Sequence, residues 1–120
     1  MEQSHETTVR ILEDAADLLE GRWVAGTWSR YDEELGQDRV CVVEALHRVS
    51  MDEERECIWL AEVEILQALG FDRKQIEQLW RTADMAASFL VRWNDELVSG
   101  EQEVLDLLRK ASKRVQGVDA

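Results

Sequence analysis

The chain has no proline, two cysteines, two histidines and no low-complexity tract or internal repeat. Without proline there is no proline-rich linker and no polyproline recognition segment. Two cysteines, Cys41 and Cys57, are too few for a disulfide framework and fall in segments that read as different helices, so they are expected as reduced, mostly buried thiols. No apolar run approaches the ~18 residues that span a bilayer, and the start Met1-Glu2-Gln3-Ser4-His5-Glu6 is polar and acidic, unlike a signal or transit peptide. These features predict a cytoplasmic protein.

Positive charge is also scarce. Fourteen Lys and Arg face 26 Asp and Glu, a net charge of −12. Direct nucleic-acid binding needs a basic surface for counterion release, and an anionic membrane would repel this chain; neither partner is expected. No glycine-rich phosphate loop, Gly-x-Ser-x-Gly elbow, Cys-x-x-Cys pair or His-Glu-x-x-His motif occurs.

What the chain does have is apolar material: 45% of its 120 residues are hydrophobic, and Trp23, Trp28, Trp59, Trp80 and Trp93 supply large side chains. A length of this order buries roughly two-thirds of its unfolded surface. One helical domain over residues 8–116 is expected, with loose ends at 1–7 and 117–120. Val9, Leu12, Ala16 and Leu19 are spaced for a helix from Thr8 to Glu20, capped by Thr7 or Thr8 and stopped at Gly21. The aromatic and β-branched stretch Trp23–Tyr31, the polar segment Asp32–Gln37 and then Arg39–Val42 predict a hairpin. A second helix is read over Cys41–Val49. Ser50-Met51-Asp52-Glu53 has capping-box form and would open a third helix to Leu69, with Ile58, Ala61, Ile65 and Leu69 as its apolar line. Gly70-Phe71 reads as a Schellman stop, Asp72-Arg73-Lys74-Gln75 as another capping box ahead of Ile76, Leu79, Trp80 and Ala83. Asp84 either starts a new helix toward Trp93 or lies within a continuing one, and Ser99 caps a last helix carrying Val104, Leu107, Leu108, Ala111 and Val115. The fold class predicted is mainly α: a compact domain of five or six helices with one small β-hairpin after the first.

Trp23-Val24-Ala25-Gly26-Thr27-Trp28, the polar turn, Cys41 ahead of Ala45-Leu46, and Trp93-Asn94-Asp95 before a final helix resemble, in that order, a small domain family of unknown function associated with actinobacteria and their phages. The resemblance spans about residues 9–115. The family's Cys-Ala-x-Gly-Ala is here the bulkier Cys41-Val42-Val43-Glu44-Ala45. It implies a shared fold and a phage or host setting, and no activity.

Three candidate chemistries can be weighed. Cys41 at a helix start could be activated by the helix dipole and recruit His47 and Asn94. Positions 41 and 47 of one helix, however, point about 240° apart, and a small buried side chain is the expected role. Glu44 and His47 have the Glu-x-x-His spacing of a metal helix, but a second histidine ligand is missing: His5 lies in the expected loose end, and acids such as Glu62 and Glu64 are abundant enough to match by chance. No metal and no cofactor are expected. Trp93, Asn94 and Asp95 could form a recognition hot spot, or could fill the core and bond local backbone; Trp28 poses the same choice. The acids Asp32-Glu33-Glu34 read as a solvated turn, and those at 52–56 complement a helix dipole.

The function expected is a non-catalytic, acidic protein-binding module, a phage or host regulator in setting, with an unknown protein partner or a second copy of itself. Trp93, Asn94, Asp95 and Trp28 are its candidate partner-binding residues. An acidic decoy of a nucleic-acid enzyme is the alternative, weakened by Arg109, Lys110, Lys113 and Arg114 among the acids of the last helix. A Cys41-dependent enzyme stands third.

Overall fold

The computed structural model describes residues 2–117, with side chains for 5–82 and 84–117. Helix α1 (Glu2–Leu19) leads into strands β1 (Ser29–Asp32) and β2 (Gln37–Val40), and then into α2 (Val42–Val49) and α3 (Arg55–Ala68). Helices α4 (Arg73–Leu79) and α5 (Ala83–Arg92), a π-helical turn (Trp93–Leu97) and α6 (Glu101–Val115) complete the chain. The mainly helical architecture with a hairpin after the first helix is as expected.

Helix α1 begins six residues before Thr8, so residues 2–7 are its first turns rather than a loose end, and Thr8 is a buried residue inside it; Met1 and 118–120 lie outside the described residues. Ile11, Leu12, Ala15, Ala16 and Leu19 form its buried stripe. They pack against α2, α3 and α6. Helix α6 contributes Val104, Leu105, Leu107, Leu108 and Ala111. Helix α3 lies between α1, α5 and α6, which explains why Ala61, Val63, Ile65, Leu66 and Ala68 are buried around much of its circumference.

The local stop signals divide into those that work as read and those that tertiary contacts reassign. Gly70 adopts φ +112°, and the amides of Gly70 and Phe71 donate to Gln67 and Leu66 carbonyls at 3.0 and 3.2 Å, which is the Schellman pattern. The Asp72–Gln75 capping box is reciprocal, at 2.8 and 2.9 Å. Ser50, by contrast, closes α2: its hydroxyl donates to the Leu46 carbonyl at 2.6 Å. Glu53 is drawn away to Arg10 at 2.7 Å, so α3 starts only at Arg55. Ser99 lies one residue outside the α6 cap, which is Gly100. Helix α4 stops at Leu79, and Thr82 caps a separate α5 by accepting from the Met85 amide at 3.2 Å.

The hairpin is shorter than its aromatic stretch suggested. Only Ser29–Asp32 pairs with Gln37–Val40. In the turn, the Asp32 carboxylate accepts from the Glu34 and Leu35 amides at 2.9 and 3.1 Å and from Arg39 Nε at 2.7 Å. The Arg39 guanidinium, with those amides, holds the Asp32 carboxyl below the usual carboxylate range.

Residues 21–28 are irregular backbone, and irregular backbone must find partners for its amides elsewhere. Glu101, at the start of α6, accepts from the Gly21 and Trp23 amides at 2.9 and 3.3 Å. Val24 donates to Val40 at 3.0 Å, and Cys41 donates to the Trp28 carbonyl at 3.0 Å. Asn94 does the rest. It is fully buried, and its Oδ1 accepts from Trp23 Nε1 (2.7 Å) and from the Val42 amide (3.1 Å). Its Nδ2 donates to the Val24 carbonyl (3.0 Å) and to Asp95 Oδ1 (2.9 Å). An amide has two donors and two acceptor positions, and all four are used. Asp95 Oδ1 in turn accepts from the Gly26 amide at 2.8 Å. The π-helical turn, closed by Val98 donating to the Trp93 carbonyl at 3.0 Å, brings Asn94 to this position.

Replacing Asn94 by Ala strips partners from the buried Val42 amide, the part-buried Trp23 indole and the Val24 carbonyl at once, so Asn94→Ala is expected to lower unfolding free energy by about 3 kcal/mol. Urea denaturation followed by tryptophan fluorescence measures it; a loss below about 1 kcal/mol would show that water replaces the amide.

Candidate functional site

The four residues offered by the sequence for a partner have different fates. Trp93 is 6% exposed and Asn94 is sealed, so both belong to the core and its polar latch and cannot be surface anchors in this fold. Asp95 is partly buried and spends one carboxylate oxygen on Asn94 and Gly26. Trp28 alone projects, at 51% exposure. The four are nevertheless connected: Asn94 and Asp95 fix Val24 and Gly26, Cys41 fixes the Trp28 carbonyl, and Trp28 is thereby carried on a tethered backbone.

Trp28 meets the ring of His47 edge-on, with centroids 6.3 Å apart and planes at 62°. Both line an open groove of about 510 Å³ together with Asp84, Ala87, Ser88 and Val91 of α5. Beside it lies a cavity of about 30 Å³ lined by His47, Arg55, Ile58, Glu62, Asp84 and Ala87. His47, Asp84 and Ala87 are common to both, so the cavity adjoins the groove.

Glu62 is the feature of this site that sequence reasoning missed, treating it as one acid among many. It is 1% exposed, and its Oε1 is buried with no hydrogen-bond partner. Burial, and then the charge of Asp84, push its carboxyl up to about 8 from an ordinary 4.5. The signal was present: Glu62 follows Ile58 by four residues and precedes Ile65 by three, within the apolar line of α3 rather than beside it.

Cys41 is buried and caps α2, its Sγ accepting from the Glu44 amide at 3.4 Å. Desolvation raises its thiol above the usual range despite the helix-start amides, which favours the protonated form over the nucleophilic thiolate. Glu44 is occupied by Arg48 at 2.9 Å. Among the described residues, no three His, Cys, Asp or Glu side chains come together in a group able to hold a metal ion, and no helix is long and apolar enough to cross a membrane.

Fold and site together define a small helical domain with a hairpin, a projecting tryptophan and a buried acid beside its groove. The chain belongs to a family of unknown function (DUF6197), whose model matches residues 3–114. No curated protein and no solved structure gives a significant match.

Two measurements follow from these environments. Both cysteines are free, Cys41 buried and Cys57 half-buried, so alkylation after denaturation without reductant should add two labels, while the native protein labels Cys57 well before Cys41. Rapid native labelling of Cys41 would contradict its burial. For Glu62 the sign is set by a folded value near 8 against an unfolded value near 4.5. Between those pH values the unfolded chain has lost a proton that the folded chain keeps, so stability falls as pH rises from about 4.5 to 8 and levels above. Glu62→Gln should remove most of that slope and raise stability at pH 8.5 by roughly 3–5 kcal/mol relative to the parent; chemical denaturation at a series of pH values tests it, and an unchanged slope would exclude Glu62 as the cause.

Proposed function

We propose that the chain is a non-catalytic protein-binding module whose docking face is the groove headed by Trp28, and that its partner lays a basic segment into it. The observation that carries this reading is Trp28 itself, a large ring left half in water on backbone that is already tethered by Asn94, Asp95 and Cys41. A projecting aromatic gains much area on docking, and a tethered loop has little entropy left to lose. Charge supplies the partner's chemistry. The chain carries −12 overall, and Asp84 lines the groove, a field that favours approach of a cationic segment.

The acidic decoy has less support. Besides Asp84, eight acidic side chains are in ion pairs with arginines. Asp72, Asp95 and Glu101 are spent on backbone amides, and Glu62 is buried. A phosphate mimic needs its carboxylates free and regularly displayed. With the setting that the sequence resemblance implies, an actinobacterial cell or its phage, the proposal describes a small cytoplasmic regulator that acts by occupying a partner.

A photo-crosslinking residue at Ser88, inside the groove, identifies the partner in the source cell, and the purified pair is then measured. Trp28→Ala should weaken binding by about 2 kcal/mol or more, roughly thirtyfold. Charge reversal at Glu33 and Glu34 should alter the association rate more than the dissociation rate. Binding that ignores Trp28→Ala and disappears between low and moderate salt would replace this reading with the decoy, and crosslinks only to a second copy would replace it with a homodimer.

A further inference from the structure

We infer that the cavity over Glu62 is the seat of one alkylammonium group, the side-chain end of a lysine in the partner's basic segment, entering from the Trp28 groove between His47 and Asp84. This rests on the module reading for the lysine's source, but the seat itself is argued from the cavity.

Size comes first. The cavity is about 30 Å³, above the ~10–15 Å³ that admits one group the size of a water, so it has room for an ammonium head. A guanidinium is planar and pairs best with both oxygens of one carboxylate, whereas Glu62 keeps one unpartnered oxygen, which suits a single ammonium. The stem of a lysine is apolar, and the adjoining groove offers Ala87, Val91 and the Trp28 ring along its length.

Hydrogen-bonding chemistry agrees. Among the described residues, Glu62 alone of the buried polar side chains keeps a buried oxygen without a hydrogen-bond partner. Such an atom carries a cost that a native fold normally removes. An ammonium brings three donors and no acceptor, which suits a seat with Glu62 in its wall and Asp84 at its rim. The charged and titratable groups around the seat are His47 from α2, Asp84 from α5, and Arg55 from the first turn of α3. Arg55 is the internal rival. Its guanidinium lies 3.7 Å from Asp84 and its side chain is 86% exposed, so it holds the rim without filling the cavity.

Occupation has a defined proton balance. With its carboxyl pushed up to about 8, Glu62 is mainly the neutral acid at pH 7. When the ammonium seats, the carboxyl O–H bond breaks, the proton passes to buffer, and the carboxylate is left paired with the cation. Affinity therefore rises with pH by roughly tenfold per unit between the bound and the free midpoint.

The test uses the full chain with carbon-13 in its glutamate carboxyls and n-butylammonium chloride as probe, with 1-butanol and n-butylguanidinium for comparison. The Glu62 titration midpoint should fall by about one unit or more in saturating n-butylammonium, stay in place with 1-butanol, and respond at least tenfold more weakly to n-butylguanidinium. Arg55→Ala should tighten n-butylammonium binding several-fold by removing the rival cation. Glu62→Gln should abolish the pH dependence of binding. Ala87→Leu, which fills the shared wall and keeps Glu62, should leave a Glu62 titration that n-butylammonium no longer moves.

A Glu62 midpoint that n-butylammonium leaves unmoved in the parent chain, or moves no more than 1-butanol does, would overturn the lysine seat. No partner enters this experiment, so the two proposals fail separately. Loss of the seat with a partner still dependent on Trp28 removes only the lysine, while a responsive Glu62 with no Trp28-dependent partner removes only the module.

Discussion

The interaction on which the rest depends is the four-way hydrogen bonding of one buried amide. Asn94 joins the segment after α1, the first turn of α2 and the π-helical turn through the Trp23 indole, the Val42 amide, the Val24 carbonyl and Asp95. Obligate donors on one side and a carbonyl on the other leave its amide a single satisfying orientation. A leucine of similar size would fill the space and orphan every partner, which is why a polar group here specifies the arrangement and does not merely tolerate it. Asp95 extends the latch to Gly26, and Cys41 secures Trp28. The exposed ring of the groove is thus a remote consequence of a sealed side chain.

Glu62 is the opposite kind of buried polar group. Where Asn94 uses every bonding position, Glu62 leaves an oxygen empty and stays protonated at a pH where an exposed carboxyl would be ionised. The fold carries that cost in α3, a helix hemmed in by α1, α5 and α6. Local conflict with an otherwise consistent core is where functional demands are expected to show. His47 and Asp84 line the cavity over it, and Trp28 lines the adjoining groove.

Much of this was legible in residue order. Gly70-Phe71, Asp72–Gln75 and the stripes of α1 and α6 act through contacts within a turn or two, so their neighbours in sequence are their neighbours in space. Ser50 and Ser99 show the limit of that rule. Ser50 has the spacing of a cap, but Arg10, forty-three residues before Glu53, takes the glutamate the cap would have needed. The aromatic stretch from Trp23 looked like a strand because β-propensity reports a half-buried surface; here that surface is provided by Asn94 and Val40 rather than by a paired strand over its whole length.

By itself, the order of residues determined the mainly helical class, the hairpin after the first helix, the expectation of thiols over disulfides and the acidic surface, because periodicity, glycine stops and net charge are local or additive properties. Tertiary structure alone decided which tryptophan faces water, that Asn94 and Asp95 hold the loop carrying Trp28, and that Glu62 is buried beside the groove. Each of those outcomes rests on what packs against a side chain from a distant part of the chain, and burial and hydrogen-bond partnership are properties of that packing, not of the residue.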